Sequence, residues 1–171
     1  MTDEIKTDSA AESGEAKKRE RPTGKIAVAC DHGGYKLKQD IIRHLKRRGD
    51  EFEDYGTFDE ESCDYPDIAE QACLAVINGE CTRAILICGT GIGISIAANK
   101  MPGIRAACCS DTFSARYTRY HNDANALCFG GRVVGPGLAI DMVDLFLDTR
   151  FEGGRHQKRV DKITALEKKY K

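Results

Sequence analysis

A chain of 171 residues with 26 basic and 27 acidic side chains carries a formal net charge of −1. That near-neutrality excludes the basic surface on which most nucleic-acid and membrane-surface proteins depend. No apolar run approaches the ~18 residues a bilayer requires, and no apolar N-terminal stretch of the secretory type is present. The chain therefore reads as a cytoplasmic globular protein without nucleic-acid or membrane partners.

Eight cysteines are the unusual feature of the composition. In a small secreted protein an even count suggests disulfides. This chain is long enough for a real core, and Cys30, Cys73, Cys88, Cys108, Cys109 and Cys128 lie inside apolar segments. They read as reduced thiols that behave as small core residues, with Cys63 and Cys81 in loops or at helix ends. No CxxC pair occurs, which leaves no zinc-ribbon or thioredoxin-like spacing.

Residues 1–24 hold six acids and five bases, and their only sizeable apolar side chains are Met1 and Ile5. Such a segment buries too little surface to offset its ordering entropy. A mobile charged tail is expected there, followed by one domain over residues 25–171. The domain retains 21 bases and 21 acids. Residues 26–30 (IAVAC) predict a buried strand. Leu37, Ile41, Ile42 and Leu45 then recur at helical spacing as far as Gly49. Residues 50–55 predict a weaker strand. Pro66 opens a helix carrying Ile68, Ala72, Cys73, Val76 and Ile77, which stops near Gly79. Residues 84–88 (AILIC) predict the clearest strand, followed by a glycine-rich turn and a helix to about Lys100. Residues 104–109 predict a fourth strand, 111–120 a fourth helix and 126–129 a fifth strand. Helices over 136–148 and 156–170 complete the pattern, the last with a narrow stripe of Val160, Ile163 and Leu166.

Apolar strands that alternate with amphipathic helices predict an α/β fold. The expected architecture is a three-layer α/β/α Rossmann-like sandwich around a five-stranded parallel sheet. Ligands of such sheets bind beyond the carboxyl ends of the strands. That rule selects Asp31–His32, the segment from Cys88 to Gly93, Ser110–Asp111 and the residues from Gly130 to Arg132.

The segment Cys88-Gly89-Thr90-Gly91-Ile92-Gly93-Ile94-Ser95 is the strongest local signal. Three glycines at alternate positions leave backbone N–H groups able to converge on an anion at a helix start. The dinucleotide fingerprint needs glycine where Ile94 stands, and no Gly-Lys-Ser/Thr of a Walker loop follows. What remains is a generic anion cradle, or a tight turn whose glycines serve packing alone. Cys88 at its lip is either a base or nucleophile or an inert packing residue. His32 suits phosphate binding or proton transfer, and equally capping. His121, in Tyr-His-Asn-Asp, taken alone reads as structural. His44, among Arg43, Lys46 and Arg47, reads as solvated. The histidines show no metal-ligand spacing with the cysteines or with one another, so no metal site is expected. Arg155 and Arg159 stand four apart near a helix N-terminus, where bases are disfavoured. They either meet a dianion together or belong to a solvated basic face with Lys158 and Lys162.

Several motifs then occur in order with family-like spacing. They are Ala29-Cys30-Asp31-His32-Gly33-Gly34, Asp64-Tyr65-Pro66, the run from Ile87 to Lys100, and Gly103-Ile104-Arg105-Ala106. His121-Asn122-Asp123, Gly130-Gly131-Arg132-Val133 and Glu152-Gly153-Gly154-Arg155-His156 complete the set. From about Lys25 to the C-terminus the chain resembles the type B ribose-5-phosphate isomerase family. The resemblance implies interconversion of ribose 5-phosphate and ribulose 5-phosphate through an enediol(ate). It implies Cys88 as the base, since some members use a glutamate further along the turn, where this chain has Ile92 and Gly93. It implies His121 as the acid/base of ring opening, with Thr90 and Asp64 holding sugar hydroxyls or orienting the base. Gly89, Thr90, Gly91, Ile92 and Gly93 would surround the developing oxyanion. His32, Arg132, Arg155 and Arg159 would bind phosphate, Asp31 and Asn122 the sugar, and Tyr65 would line the pocket.

The same resemblance implies no cofactor and no metal. It implies a homodimer or tetramer whose active site is shared between subunits, with the C-terminal helix packing on the partner. The near alternative is an isomerase of a six-carbon phosphosugar, allose 6-phosphate or galactose 6-phosphate. The distant ones are a non-catalytic nucleotide-binding module and a thiol redox sensor.

Overall fold

The computed structural model describes residues 24–170, so the tail expected over residues 1–24 lies, but for Gly24, outside the described residues. The chain alternates β1 (Ile26–Cys30), α1 (Tyr35–Arg48), β2 (Phe52–Asp54), α2 (Tyr65–Ile77), β3 (Arg83–Cys88) and α3 (Ile92–Ala98). It continues through β4 (Ala106–Cys108), α4 (Thr112–Asn122), β5 (Ala126–Gly130), α5 (Pro136–Asp148) and α6 (Arg155–Lys169). All strand pairs are parallel, in the order β2-β1-β3-β5-β4. The expected five-stranded α/β sandwich is the observed one.

Alternate residues of the strands feed two cores. Val28, Ile85, Ile87, Leu127 and Phe129 meet Leu37, Ile41 and Leu45 of α1 and Met142, Val143 and Phe146 of α5. Ala27, Ala29, Ala84, Leu86 and Cys128 meet Ala69, Ala72 and Cys73 of α2 and Ile94 and Ala98 of α3. The second layer is built mostly of alanine and cysteine, and such small side chains suit a close approach of helix to sheet. Burial pushes the Cys30, Cys73 and Cys109 thiols up to about 12 and raises Cys128 as well. These four are neutral, packed thiols. Cys81 is buried too, although the sequence places it at a helix end. Cys108 departs from its expected core role: it is exposed, on the outer strand β4.

β2 is shorter than expected over 50–55, and α3 and β4 are shorter than the apolar pattern predicts. The α3 helix stops at Ala98 because the Asn99 amide donates to the Ser95 and Ala106 carbonyls, at 2.9 and 2.8 Å. Its carbonyl oxygen accepts from the Ala106 N–H at 2.9 Å. One side chain thus ends the helix and pins it to β4. β4 begins only at Ala106, because the Arg105 N–H is taken by the Asn125 side chain at 2.7 Å.

Polar contacts lock α1 to its surroundings. Arg48 bonds to Asp50, Asp144 and Asp148, joining α1 to α5. Burial disfavours its charge, but the three carboxylates outweigh that and raise its pKa. His44 is not solvated as expected: its Nε2 lies 2.6 Å from Asp144 Oδ1, so it belongs to the same junction. Lys38, fully buried, donates to Asp54 Oδ1 at 2.5 Å and to the Thr57 carbonyl at 2.7 Å. α6 packs against α4 of its own chain through buried His156 and Val160, while Ile163 and Leu166 stay exposed.

Removing one member of a buried pair leaves the other desolvated. Lys38→Ala strands Asp54 and is expected to lower stability by about 2–3 kcal/mol, allowing for the partial exposure of Asp54. Urea unfolding checks it. The exposed pair of Lys25 and Glu53 is the control, and Lys25→Ala should leave the midpoint unmoved.

Candidate active site

β1 and β5 lead into α1 and α5 on one face of the sheet, whereas β3 leads into α3 on the other. The chain therefore diverges at the carboxyl ends of these strands and opens the crevice in which such sheets hold ligands. Asp31, 6% exposed, accepts from the Gly34 N–H at 3.2 Å and caps the single 3-10 turn that follows β1. His32 Nδ1 accepts from the Cys63 N–H at 3.3 Å. In the neutral ring that places the proton on Nε2.

The turn after β3 is the centre of the crevice. Gly91 adopts φ 82°, and a Cβ there would lie 2.7 Å from the backbone of Phe129. Only glycine allows both that dihedral and that approach. The bend carries the Gly91 N–H back to Cys88 Sγ at 3.0 Å. Cys88 itself is 3% exposed. The loop after β5 clamps the turn, the Gly131 N–H donating to the Cys88 carbonyl at 2.8 Å and the Arg132 N–H to that of Gly89 at 3.1 Å. The first loop is drawn in as well, since a Cβ on Gly131 would lie 2.5 Å from the Gly33 carbonyl oxygen.

Other expected residues join this group. Arg132 is exposed, and its guanidinium lies over the turn: Cζ would be 3.8 Å from a Cβ on Gly89. The Tyr65 ring lies against the first turn of α3, with Cζ 2.7 Å from where a Gly93 Cβ would be. Asp64 stands at the N-cap of α2 but makes no capping bond, and its side chain is exposed. Thr90 Oγ1 accepts from the Ile92 N–H at 3.3 Å. With only seven residues, α3 contributes little macrodipole, so the turn's own N–H groups are the main donors.

The remaining residues lie elsewhere. α4 starts beside Cys109, whose N–H reaches the Cys128 carbonyl near the end of β5, and finishes just before β5 begins. His121 and Asn122, in its last turn, therefore lie at the opposite edge of the sheet from Cys88, which pairs with Gly130. The five residues of β5 separate the two edges by about 13 Å. The Glu152 N–H donates to the Tyr120 carbonyl at 3.0 Å and brings the start of α6 to this second edge. The His121 and His156 rings stack there, 4.0 Å apart and within 3° of parallel. Glu152 Oε2 lies 3.1 Å from His156 Nε2 and 3.7 Å from His121 Nε2. Arg155 Nε donates to His156 Nε2 at 3.2 Å, and Arg159 Nη1 lies 3.5 Å from His156 Nδ1. Burial, then the neighbouring His121, lower the His156 pKa.

The four expected phosphate ligands thus fall into two pairs within one chain. His32 and Arg132 belong to the crevice, Arg155 and Arg159 to the far edge. Glu152 and His156 received no role from the sequence. Their signal was the run Glu-Gly-Gly-Arg-His, whose Gly153 and Gly154 take φ 70° and 52° and turn the chain back onto His121.

Comparison with known proteins agrees with this geometry. A family model described as ribose/galactose isomerase matches residues 26–163. Over 145 residues the chain is 56% identical to ribose-5-phosphate isomerase B of Escherichia coli K12, covering 85% of this chain and 97% of that one. A solved ribose-5-phosphate isomerase B from Clostridium thermocellum is 57% identical with a TM-score of 0.85, covering 86% of this chain and 99% of that one. The Mycoplasma genitalium enzyme, solved with bound ribulose 5-phosphate, is 42% identical with a TM-score of 0.80, covering 84% and 96%. A crevice formed by a cysteine and a glycine turn, on a fold shared over nearly the whole length of these enzymes, shows that the chain belongs to the ribose/galactose isomerase family.

Proposed function

We propose that the chain interconverts D-ribose 5-phosphate and D-ribulose 5-phosphate. The observation that carries this reading is Cys88 Sγ held by the Gly91 N–H of a glycine-rich turn at the carboxyl end of the sheet, in a chain 56% identical to a ribose-5-phosphate isomerase B. In the open-chain aldose the Cys88 thiolate removes the C2 proton, and the electron pair moves onto the carbonyl oxygen at C1. The turn's N–H donors hold that oxyanion. Preorganised donors are most effective where charge appears during the reaction. The C2 hydroxyl proton passes to the C1 oxygen, and the thiol then returns its proton to C1 as the carbonyl forms at C2. Thr90 and Asp64 orient sugar hydroxyls and the base, Asp31 holds the sugar, and Tyr65 walls the pocket. No metal or cofactor enters these steps.

His121, Asn122, Arg155 and Arg159 complete the site from a second copy. Their position at the far edge of the sheet supports this, because one chain cannot bring them to its own Cys88. A two-fold dimer would place the far edge of each chain over the crevice of the other. His121 then protonates the ring oxygen as the cyclic sugar opens, and the two arginines join His32 and Arg132 at the phosphate. Phe113, Tyr117 and His121 form an aromatic row along α4, the first two rings stacked and the last two edge to face, with Phe113 68% exposed, and such a row suits an interface. The exposed Ile163 and Leu166 extend it on α6, which leaves an open cleft of about 660 Å³ between its end and the residues around β4. A cytoplasmic location belongs to the same reading, supported by eight free thiols. No helix of the described residues is long and apolar enough to cross a membrane.

Assays on ribose, allose and galactose phosphates are expected to give the highest kcat/KM with the five-carbon sugar; a six-carbon preference would reverse the assignment. Cys88→Ala should lower kcat by about two orders of magnitude or more. A folded Cys88→Ala protein with full activity would remove the thiolate mechanism. Arg155→Ala and Arg159→Ala should chiefly raise KM. Mixing and reassembling inactive Cys88→Ala and His121→Ala chains should recover about a quarter of wild-type activity, because half the dimers are mixed and each has one intact site. No recovery would show that each chain supplies its own His121.

A further inference from the structure

We infer that His121, Glu152 and His156 form a binding site for a divalent transition-metal ion, and that its occupation inhibits the enzyme by taking His121 out of use. The inhibition rests on the role proposed for His121; the binding does not.

One donor atom from each of the three residues lies within 4.8 Å of the other two. The contacts of Glu152 Oε2 with the two Nε2 atoms, 3.1 and 3.7 Å, bracket the spacing of donors on a tetrahedral ion, roughly 3.3 Å for bonds of about 2.0–2.1 Å. The in-plane lone pairs of two parallel, stacked rings do not converge as they stand, so binding turns the more exposed His121 ring out of the stack until its Nε2 and that of His156 meet at the carboxylate. The backbone already holds the arrangement. The Glu152 N–H is tied to the end of α4, and the His156 N–H to the Gly153 carbonyl at 2.9 Å. His156 is 4% exposed, whereas a third or more of the His121 and Glu152 side chains remains open. An ion could therefore enter from solvent and keep an outward coordination position for water.

The donor set decides the metal class. Two imidazoles and one carboxylate suit zinc, nickel or copper, whereas magnesium and calcium prefer oxygen cages. Competing cations narrow the choice further. Arg155 donates to the Nε2 that an ion must use, and Arg159 stands beside the other nitrogen of the same ring. Both arginines are exposed and can swing away, but only an ion with strong affinity for imidazole displaces them. Binding releases any proton held on Nε2 of either ring. A metal-bound His121 Nε2 has neither a proton to give nor a lone pair to accept one, so ring opening loses its acid. Displacement of Arg155 also weakens the hold on the phosphate.

Cobalt(II) titration of Cys88→Ala protein tests the site without relying on turnover. The expected result is one ion per chain with the visible absorption of tetrahedral cobalt and no thiolate-to-cobalt charge-transfer band. Glu152→Gln and His156→Gln should each weaken binding by at least about tenfold. Glu152 is exposed, so its variant remains informative if the His156 variant fails to fold. Arg155→Ala should tighten binding, which a merely structural effect would not do. In metal-free enzyme with Cys88 intact, zinc should abolish isomerisation and EDTA should restore it. Cobalt bound through thiolate, or bound equally well by Glu152→Gln, would overturn the site. Cobalt binding as expected with full activity at saturating zinc would overturn the inhibition. A metal-free protein with no isomerase activity would instead overturn the functional reading, while the cobalt titration still reports on the site.

Discussion

The contact on which the rest depends is backbone against backbone at the carboxyl ends of β1, β3 and β5. The turn from Cys88 to Gly93 is pressed onto the end of β5, and the loop after β5 is pressed onto the loop after β1. Side chains are excluded from both junctions, so peptide groups meet directly, and across the first of them they hydrogen-bond. That contact fixes where the Gly91 N–H points and thereby the surroundings of Cys88 Sγ. It also explains why this end of the sheet is polar and rigid although the strands beneath it are wholly apolar. Preorganised donors act only if they cannot relax toward the ground state, and three interlocked loops resist that relaxation.

The fold was largely legible because its signals are local. IAVAC and AILIC are short unbroken apolar runs, and the helices between them keep a clean apolar period. The crevice group was legible for the same reason, since strand-end residues and glycine spacing can be read along the chain. Two kinds of feature were hidden. The ends of α3 and β4 are set by side chains, Asn99 and Asn125, that bond across the fold rather than by hydrophobic pattern. His44 looked solvated among basic neighbours because its partner, Asp144, is 100 residues away. The same distance in sequence concealed the meeting of His121 with His156. Histidines 35 positions apart carry no recognisable ligand spacing until Gly153 and Gly154 fold one back on the other.

The division of the expected ligands between two edges of one sheet ties chemistry to assembly. On the proposed reading, a chain that folds alone holds a base, an oxyanion cradle and part of a phosphate site. The other part, with the acid, points away from it across the full length of β5. On the proposed reading no monomer can turn over, and catalytic competence becomes a function of chain concentration. The aromatic row along α4 then links the interface to the acid, because its last member before His156 is His121 itself.

The layer of alanine and cysteine beneath α2 and α3 has a consequence for chemical reactivity. Most of the eight sulfur atoms are packed as neutral thiols and are closed to electrophiles that attack only thiolates. Cys108 on the outer strand is exposed and Cys63 is half-buried, so these two sulfurs stand nearest to solvent. Cys88 is reached only through the crevice. A sulfur-rich composition that suggests broad sensitivity to alkylation thus resolves into a narrow one, with the central thiol itself almost closed to solvent.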